Sequence, residues 1–276
     1  MSPFELAEPR SLPEAMALLG AENARPLSGG TALMLMMKAG VLRPARLVSL
    51  RKLGLDEIRF DGELRIGAMT SLRALERSAQ VQAGWPAITR TLRTLSNVRV
   101  RNVATVGGAL AHADPHMDLP PLLAALGAQV TIAGPRGERR LPVEALYAGY
   151  LENTLARDEL ITQVTIPPMG SNRAAYLKCT TRSADDWPAV GIAVLTDGSE
   201  VRIVLGAATD KPTRLVAAEK LLKGRTGDPA ALKEAAAAGA DEARIEGDSH
   251  GSSAYKKQLI RVYLQRTLHE ARRAVH

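Results

Sequence analysis

Ser28-Gly29-Gly30-Thr31 is the first of two glycine-containing stretches that decide how this chain is interpreted, and Thr105-Val106-Gly107-Gly108 is the second. Each stretch follows an apolar run and precedes a segment with helical periodicity, which predicts a strand, a tight loop and a helix. Glycine pairs let backbone N–H groups lie close to a bulky anion, because no Cβ stands between them. A helix that begins directly behind the loop adds its dipole and its unpaired donors. We therefore predict that the two loops bind opposite sides of one diphosphate in a dinucleotide-type cofactor.

The two loops fit neither of the common phosphate-binding motifs. The sequence contains no Gly-x-Gly-x-x-Gly and no Gly-Lys-Ser/Thr. Taken singly, each glycine pair is equally typical of a tight turn that leads into a helix. Together, their matching contexts favour an anion site, and the hydroxyls of Thr31 and Thr105 are expected to add donors that face phosphate.

Composition limits the classes of protein to which the 276 residues belong. The net charge of +7 suits an anionic ligand or an acidic partner, but basic residues are spread along the chain and aromatic residues are only 3% of it. Nucleic-acid binding is therefore not expected. No apolar run approaches the ~18 residues of a membrane span, and the N-terminus lacks the regions of a secretory signal, so a cytoplasmic location is expected.

Cys179 is the only cysteine in the sequence. A single thiol excludes an internal disulfide framework, a multi-cysteine zinc site and an iron–sulfur cluster held by this chain alone. Any metal centres that exchange electrons with this chain must therefore belong to another polypeptide. Cys179 itself is expected to be a small, buried apolar side chain.

The alternation of elements predicts two subdomains before residue 170. In residues 1–54, Ser11 and Glu14 form a capping box before a short helix, strands are expected at 25–28 and 45–50, and a helix follows the first glycine loop. In residues 55–170, Thr70 is expected to cap one helix and Asp118 another, with a helix at 85–95, a hairpin at 129–141 and a strand at 159–166. A polar linker at 169–172 ends this part.

Residues 174–276 are predicted to form a separate C-terminal domain. Three strands are expected at 174–181, 189–196 and 201–207, the last two joined by the turn Asp197-Gly198. An alanine-rich helix is expected to be capped by Asp228. The final helix begins near residue 254 and has one apolar face, formed by Ile260, Leu264, Leu268 and Ala271.

The segment from residue 112 to 118 raises the question of a metal site, because His112, Asp114, His116 and Asp118 alternate along it. A regular strand would present all four on one face, but Pro115 removes a ladder donor and bends the backbone. The sequence shows no second cluster to complete a site, so no metal is predicted. Asp118 is interpreted as a helix cap or as a ligand to a cofactor hydroxyl.

No side chain is assigned a catalytic role. The sequence contains no Gly-x-Ser-x-Gly elbow, and Cys179 has no histidine close to it in sequence. The residues therefore predict a cofactor site in which the bound cofactor carries out the reaction.

Four motifs, taken in order, resemble the FAD-binding medium subunits of molybdenum hydroxylases, the family of carbon monoxide dehydrogenase and xanthine dehydrogenase. The motifs are Pro26-Leu27-Ser28-Gly29-Gly30-Thr31-Ala32-Leu33, Leu64-Arg65-Ile66-Gly67-Ala68-Met69-Thr70, Val100-Arg101-Asn102-Val103-Ala104-Thr105-Val106-Gly107-Gly108 and Ala111-His112-Ala113-Asp114-Pro115. The resemblance covers nearly the whole chain. It implies an α+β chain with an FAD-binding fold of the vanillyl-alcohol-oxidase (PCMH) type in two α/β subdomains, followed by a C-terminal sheet-and-helices domain of the carbon monoxide dehydrogenase flavoprotein type.

The resemblance also implies FAD as the cofactor and assigns roles to residues. The glycine loops would wrap the diphosphate, Asp118 would meet ribityl or ribose hydroxyls, and Ile161 would pack along the flavin. Lys178 would approach the isoalloxazine ring, and residues 182–187 fall where the family has a mobile loop beside that ring. Ala32 and Ala109 stand where the family often has a polar residue. The implied cofactor-binding set is Pro26, Leu27, Ser28, Gly29, Gly30, Thr31, Ala32, Leu33, Thr105, Val106, Gly107, Gly108, Ala109, Asp118, Ile161 and Lys178.

As to function, the resemblance implies an electron-transfer subunit of a heterotrimeric oxidoreductase. A large molybdopterin subunit would oxidise the substrate, and a small subunit with 2Fe–2S clusters would relay electrons to FAD on this chain. NAD, a quinone or oxygen would be the external acceptor. Two alternatives stay open: a self-sufficient FAD-dependent oxidoreductase with its own substrate pocket, and a cofactor-free assembly module.

Overall fold

The first part of the chain is a small parallel sheet with two helices. In the computed structural model, which describes residues 2–274, the strands lie in the order β1-β3-β2, and β3 pairs in parallel with both neighbours. As predicted, Ser11 caps the first helix, because its Oγ accepts a hydrogen bond from Glu14 N. The elements in chain order are β1 (Glu5–Ala7), α1 (Leu12–Leu19), β2 (Ala24–Leu27), α2 (Leu33–Lys38) and β3 (Arg46–Ser49).

This parallel sheet has a small apolar core that it does not complete by itself. Ala15 and Leu19 from α1 pack with Val48 and Leu50, and the same cluster includes Leu160 from a strand more than 100 residues later. Burial of apolar area is what stabilises such a unit. The first part of the chain is therefore held in place by its contact with the second.

The second part is a five-stranded antiparallel sheet with helices inserted between its strands. The strand order is β4-β5-β10-β6-β7, and the predicted hairpin is confirmed as β6 and β7. The elements are β4 (Ile58–Phe60), β5 (Leu64–Gly67), α3 (Leu72–Arg77), α4 (Ala79–Gly84), α5 (Pro86–Thr94), α6 (Val98–Val103), α7 (Val106–His112), α8 (Leu119–Ala125), β6 (Gln129–Gly134), β7 (Gly137–Pro142), β8 (Tyr147–Gly149), β9 (Glu152–Asn153) and β10 (Leu160–Ile166).

The third part is a four-stranded antiparallel sheet with three helices. The strand order is β11-β12-β13-β14, and its core lies between the sheet and the helices. Asp228 caps the alanine-rich helix through Ala230 N, as predicted. The predicted apolar face of the last helix is fully buried. The elements are β11 (Arg173–Cys179), β12 (Val190–Thr196), β13 (Val201–Gly206), β14 (Thr213–Arg214), α9 (Val216–Leu222), α10 (Pro229–Glu242) and α11 (Ser253–Arg273).

Two local predictions around the second glycine loop are wrong. The segment before that loop is the short helix α6 rather than a strand, and Gly107 and Gly108 lie in the first turn of α7. The cap of α3 is Ser71, whose side chain accepts from Ala74 N, and not Thr70. Thr70 lies one position before the cap, and its carbonyl accepts from Val106 N beside the bridge that pairs Ser71 with Thr105.

The three larger sheets with their packed helices, together with the two-stranded pair of β8 and β9, confirm the α+β class. They fall within the predicted segments 1–54, 55–170 and 174–276, except that β11 begins one residue earlier, at Arg173. The exact boundaries of the segments stay a prediction. Within residues 2–274, no helix combines the length and the apolar character that crossing a membrane requires.

Candidate functional site

A cavity of about 830 Å³ lies where the three parts of the chain meet. Its volume is within the range of cofactor-binding clefts. The first glycine loop, the start of α7, strands β10 and β11 and the loop that follows β11 all contribute to its walls. Every residue of the implied cofactor-binding set lines this cavity except two, Leu27 and Val106. Val106 is fully buried in the main core, and Leu27 lies behind the first loop, in reach of a Cβ on Gly30.

The first glycine loop presents a row of free backbone donors. Among the described residues, the N–H groups of Gly29, Gly30, Thr31 and Ala32 donate to no protein acceptor, although all four residues line the cavity. Unpaired backbone donors are rare unless they serve a ligand or water. Gly30 has a φ of 73°, which a residue with a Cβ adopts only with strain and which turns successive N–H groups to one side. The loop is therefore shaped to receive an anion.

The N–H groups of the second glycine loop are already used within the protein. Val106 N donates to Thr70 O and Gly107 N to Ala68 O, while Gly108 N donates to the Thr105 hydroxyl. The prediction that the Thr105 hydroxyl faces phosphate therefore needs correction, since this oxygen caps α7. The second loop forms the cavity wall without offering a matching row of donors.

The missing Cβ atoms of the glycines face protein and not the cavity. A Cβ on Gly29 would overlap the carbonyl of Val103 and lie 2.8 Å from the Cα of Ala104. A Cβ on Gly107 would lie 2.6 Å from the Cβ of Ala68. Glycine is thus required because the backbones of the two loop regions, and of β5, approach one another closely. At Gly29 and Gly107 the reason for glycine is therefore this close packing of backbones and not the approach of an anion.

A hydrogen bond joins the two glycine loops directly. Ser28 Oγ and Thr105 Oγ1 lie 2.5 Å apart, although the residues are 77 positions apart in sequence. Thr105 is buried, and its hydroxyl also caps α7 through Gly108 N at 3.1 Å. The relative position of the two loops is therefore fixed before any ligand binds.

We expect Thr105→Val to lower the free energy of unfolding by about 1–2 kcal/mol, because it removes both a helix cap and the bond between the loops. Urea unfolding monitored by circular dichroism measures this. Thr105→Ser keeps the oxygen and should stay within about 0.5 kcal/mol of the parent chain. A loss in Thr105→Ser as large as that in Thr105→Val would show that the methyl group contributes as much as the hydroxyl and would contradict this assignment.

The cavity wall also contains a buried ion pair. Asp118 Oδ2 accepts from Lys178 Nζ at 2.8 Å, and Asp118 Oδ1 accepts from Tyr176 Oη at 2.7 Å. Lys178 Nζ also donates to the carbonyls of Thr94 and Asp186. Burial raises the pKa of the Asp118 carboxyl, and the ammonium of Lys178 and the hydroxyl of Tyr176 act in the opposite direction. A positive charge is thereby held at the cavity wall.

Asp118 does not cap α8, contrary to one of its two predicted roles. Its side chain makes no hydrogen bond to the helix N-terminus. A capping oxygen needs the N–H of the second or third helical residue, and Pro120 and Pro121 occupy those positions without any N–H to give. The carboxylate therefore turns toward Tyr176 and Lys178, whose spacing of two places them on one face of β11.

Three other predicted cofactor-binding residues also line the cavity. Ile161 lines the cavity at a β-bulge, where β10 changes register against β6 between Ile161 and Gln163. Ala32 and Ala109 line it as well. Cys179 is partly exposed rather than buried, contrary to expectation.

The histidine-containing segment meets partners that the sequence did not reveal. His116 hydrogen-bonds Asp114 through Nδ1 and Asp248 through Nε2, both at 3.0 Å, and its ring lies 5.1 Å from that of His250. The sequence shows no second cluster that would join this segment, but Asp248 and His250 both lie beside His116. Asp248 Oδ2 also accepts from the buried ammonium of Lys256 at 2.7 Å, so these groups form a chain of ion pairs.

Two protein-family models match this chain, one over its first two parts and one over its third part. A model of the FAD binding domain in molybdopterin dehydrogenase matches residues 2–169, and a model of the CO dehydrogenase flavoprotein C-terminal domain matches residues 175–271. The first covers the parallel sheet, the antiparallel sheet and both glycine loops. The second covers the four-stranded sheet and its helices.

Relatives of known function match over almost the full length. The chain is 34% identical to the carbon monoxide dehydrogenase medium chain of Afipia carboxidovorans, over 98% of this chain and 96% of that one. It is 28% identical to the glyceraldehyde dehydrogenase medium chain of Sulfolobus acidocaldarius, over 97% of this chain and 98% of that one. A chain in the structure of carbon monoxide dehydrogenase from Hydrogenophaga pseudoflava superposes with a TM-score of 0.93 at 32% identity, covering 98% of each chain.

Proposed function

Because this chain belongs to the family of FAD-binding medium subunits of molybdenum hydroxylases, as its four motifs predict, we propose that it transfers electrons within such a complex. A large molybdopterin subunit oxidises the substrate and a small 2Fe–2S subunit delivers electrons to this chain. The electrons then pass from FAD to NAD, a quinone or oxygen as the external acceptor. FAD supplies, when bound, the exchange between one-electron and two-electron transfer. The single cysteine supports the proposal, since this chain alone cannot hold the clusters.

The observation that carries the proposal is the row of free N–H groups from Gly29 to Ala32. These donors, with the unpartnered hydroxyl of Thr31, would hold the diphosphate of FAD. Ser28 keeps the loop in place through its bond to Thr105. The second glycine loop would then act as a wall that limits where the diphosphate lies, because its own N–H groups are already bonded.

Lys178, which lines the same cavity, would face the flavin ring. Its ammonium is held by Asp118 and by two carbonyls, so the charge stays at a fixed place. A fixed cation stabilises negative charge that develops nearby. Asp118 would contribute by positioning Lys178, and Ile161 by closing the side of the cavity with an apolar surface.

Titration of the purified chain with flavins tests the cofactor site. We expect one FAD to bind per chain with quenching of the flavin emission, and FMN and riboflavin to bind progressively more weakly, because they carry one phosphate and none. The loss from FAD to riboflavin should be at least about 100-fold, or ~2.7 kcal/mol. Riboflavin binding as tightly as FAD would rule out the loop as a diphosphate site.

Electron transfer is tested with the FAD-loaded chain. Mixing it with a chemically reduced 2Fe–2S small subunit of its complex should bleach the flavin absorbance within a single mixing experiment. NAD, a quinone or oxygen, added in turn, should restore it. Bleaching by NADPH or a small alcohol in the absence of any partner subunit would instead favour the self-sufficient oxidoreductase.

A further inference from the structure

His116 lies where three separate segments meet at the edge of the cavity. Its ring is hydrogen-bonded to Asp114 from the segment after α7 and to Asp248 from the connection between α10 and α11, both at 3.0 Å. The indole of Trp187, from the loop between β11 and β12, stacks on the ring with 5.3 Å between centroids and 19° between planes. His116 and Trp187 both line the cavity.

The hydrogen bonds determine the charge of this ring. An ionised carboxylate only accepts, so an imidazole that bonds carboxylates through both nitrogens must carry a proton on each. Lys256, which is 1% exposed, donates to Asp248 Oδ2 at 2.7 Å and to the Ala207 carbonyl at 3.2 Å. Two carboxylates are thus balanced by the Lys256 ammonium and by an imidazolium at His116.

We infer that His116 is a positioning residue for the FAD cavity, whose imidazolium holds Trp187 and the loop of residues 180–188 against the cavity wall. A cation over an indole face is attracted by the ring quadrupole. Lys178 holds the same loop at a second point, through the carbonyl of Asp186 at 3.1 Å. The inference rests on the proposed function only in taking FAD as the ligand of the cavity.

The charge of His116 makes this contact depend on pH. Burial disfavours the charged ring, but the hydrogen bonds that the ring donates to Asp114 and Asp248 outweigh it and raise the pKa of His116 above its ordinary value near 6.5. The pKa of Asp248 is lowered to about 2, so this carboxylate stays ionised. Because the folded-state pKa is raised, the contact is complete below pH 6.5 and is lost as the pH rises through the higher folded-state value.

Other charged groups surround the contact and must be separated from it. His250 faces the His116 ring at 5.1 Å, and His112 Nε2 lies 4.0 Å from Asp114 Oδ2. Asp185 and Asp186 are on the same loop as Trp187, and all three line the cavity together with Lys178.

Fluorescence of Trp187 tests the inference in the chain without FAD. The sequence has two tryptophans, so Trp85→Phe leaves Trp187 as the sole indole. An imidazolium in contact with an indole quenches its emission. We expect low emission below pH 6.5, a rise with one midpoint at higher pH, and uniformly high emission in Trp85→Phe/His116→Gln. Circular dichroism confirms that each variant is folded.

Three further variants test whether the midpoint of the emission change belongs to His116. Asp248→Asn should lower this midpoint by about one pH unit, because a neutral amide no longer favours the imidazolium. Asp114→Asn should lower the midpoint as well. It replaces Asp248→Asn in the test if that variant unfolds because Lys256 has lost its partner. His250→Gln is the matched control and should leave the midpoint unchanged. Emission that is independent of pH, or a midpoint that follows His250, overturns the inference.

The rate of FAD release tests whether the contact between His116 and Trp187 affects the cavity. With Trp187 no longer held, we expect His116→Gln to release FAD at least about fivefold faster at pH 6 and to lose the acceleration with pH shown by the parent chain. An unchanged release rate overturns the inference even where the emission responds. A chain that binds no FAD at all overturns the proposed function instead, and the fluorescence result then stands on its own.

Discussion

Gly29→Ala weakens FAD binding by at least about 100-fold, which corresponds to ~2.7 kcal/mol. The added Cβ would overlap the Val103 carbonyl and lie 2.8 Å from the Cα of Ala104, so backbone atoms and not a flexible side chain must move. If either loop moves, the free N–H groups of the first loop no longer point together at the diphosphate. Titration of flavin emission gives the affinity, and Gly84→Ala is the control, because a Cβ there meets nothing within 4 Å.

A second variant separates loss of the site from loss of the fold. Thr31→Asp places a carboxylate beside the free N–H groups, where it satisfies donors and repels a diphosphate. We expect FAD affinity to fall at least about 100-fold while the unfolding midpoint holds or rises. Thr31→Asn has the same shape without the charge and should lose no more than about tenfold. Equal affinities for the two variants would mean that no anion binds at this loop.

Lys178→Met lowers the free energy of unfolding by about 3–5 kcal/mol, the usual result of leaving one member of a buried ion pair without its partner. The side chains of Lys178 and Asp118 are only 8% and 5% exposed, so water cannot replace the lost ammonium. The Asp186 carbonyl loses a donor as well, which loosens the loop after β11. Urea unfolding of the FAD-free chain measures the effect.

The double variant shows whether the effect comes from the pair itself. Asp118→Asn/Lys178→Met removes both charges and should regain at least half of the loss, since no isolated charge stays buried. Lys223→Met breaks the exposed pair with Glu200 and should leave stability unchanged. If the losses of the two single variants simply add in the double variant, Asp118 and Lys178 do not depend on each other.

Local patterns predicted much of the fold, because the responsible interactions are short in sequence. Ser11 and Asp228 cap the helices they were expected to cap, and both need only a donor within three residues. The apolar face of α11 is buried as its period of 3.6 indicates. The first glycine loop was found for the same reason, since a loop between periodic segments is visible in one short window, whereas Gly107 and Gly108 lie in the first turn of α7.

Contacts between distant residues were not predictable in this way. The bond between His116 and Asp248 spans 132 positions, and neither residue has a local signal that points to the other. Asp118 was expected to cap a helix because an aspartate before prolines has that pattern, yet the same prolines remove the donors it would need. The pair Tyr176 and Lys178 was the available clue, since alternate residues on a strand face one side.

The shared core of the first parallel sheet bears on how the molecule opens. The apolar cluster of this sheet consists of Ala15, Leu19, Val48, Leu50 and, from the second part of the chain, Leu160. The N-terminal fifty residues therefore share their hydrophobic core with the rest of the protein. Such a region detaches at a lower free energy than the rest of a protein unfolds. Proteolysis of the native chain should therefore begin there, and a nucleotide spanning the cleft should slow the first cut more than any later one.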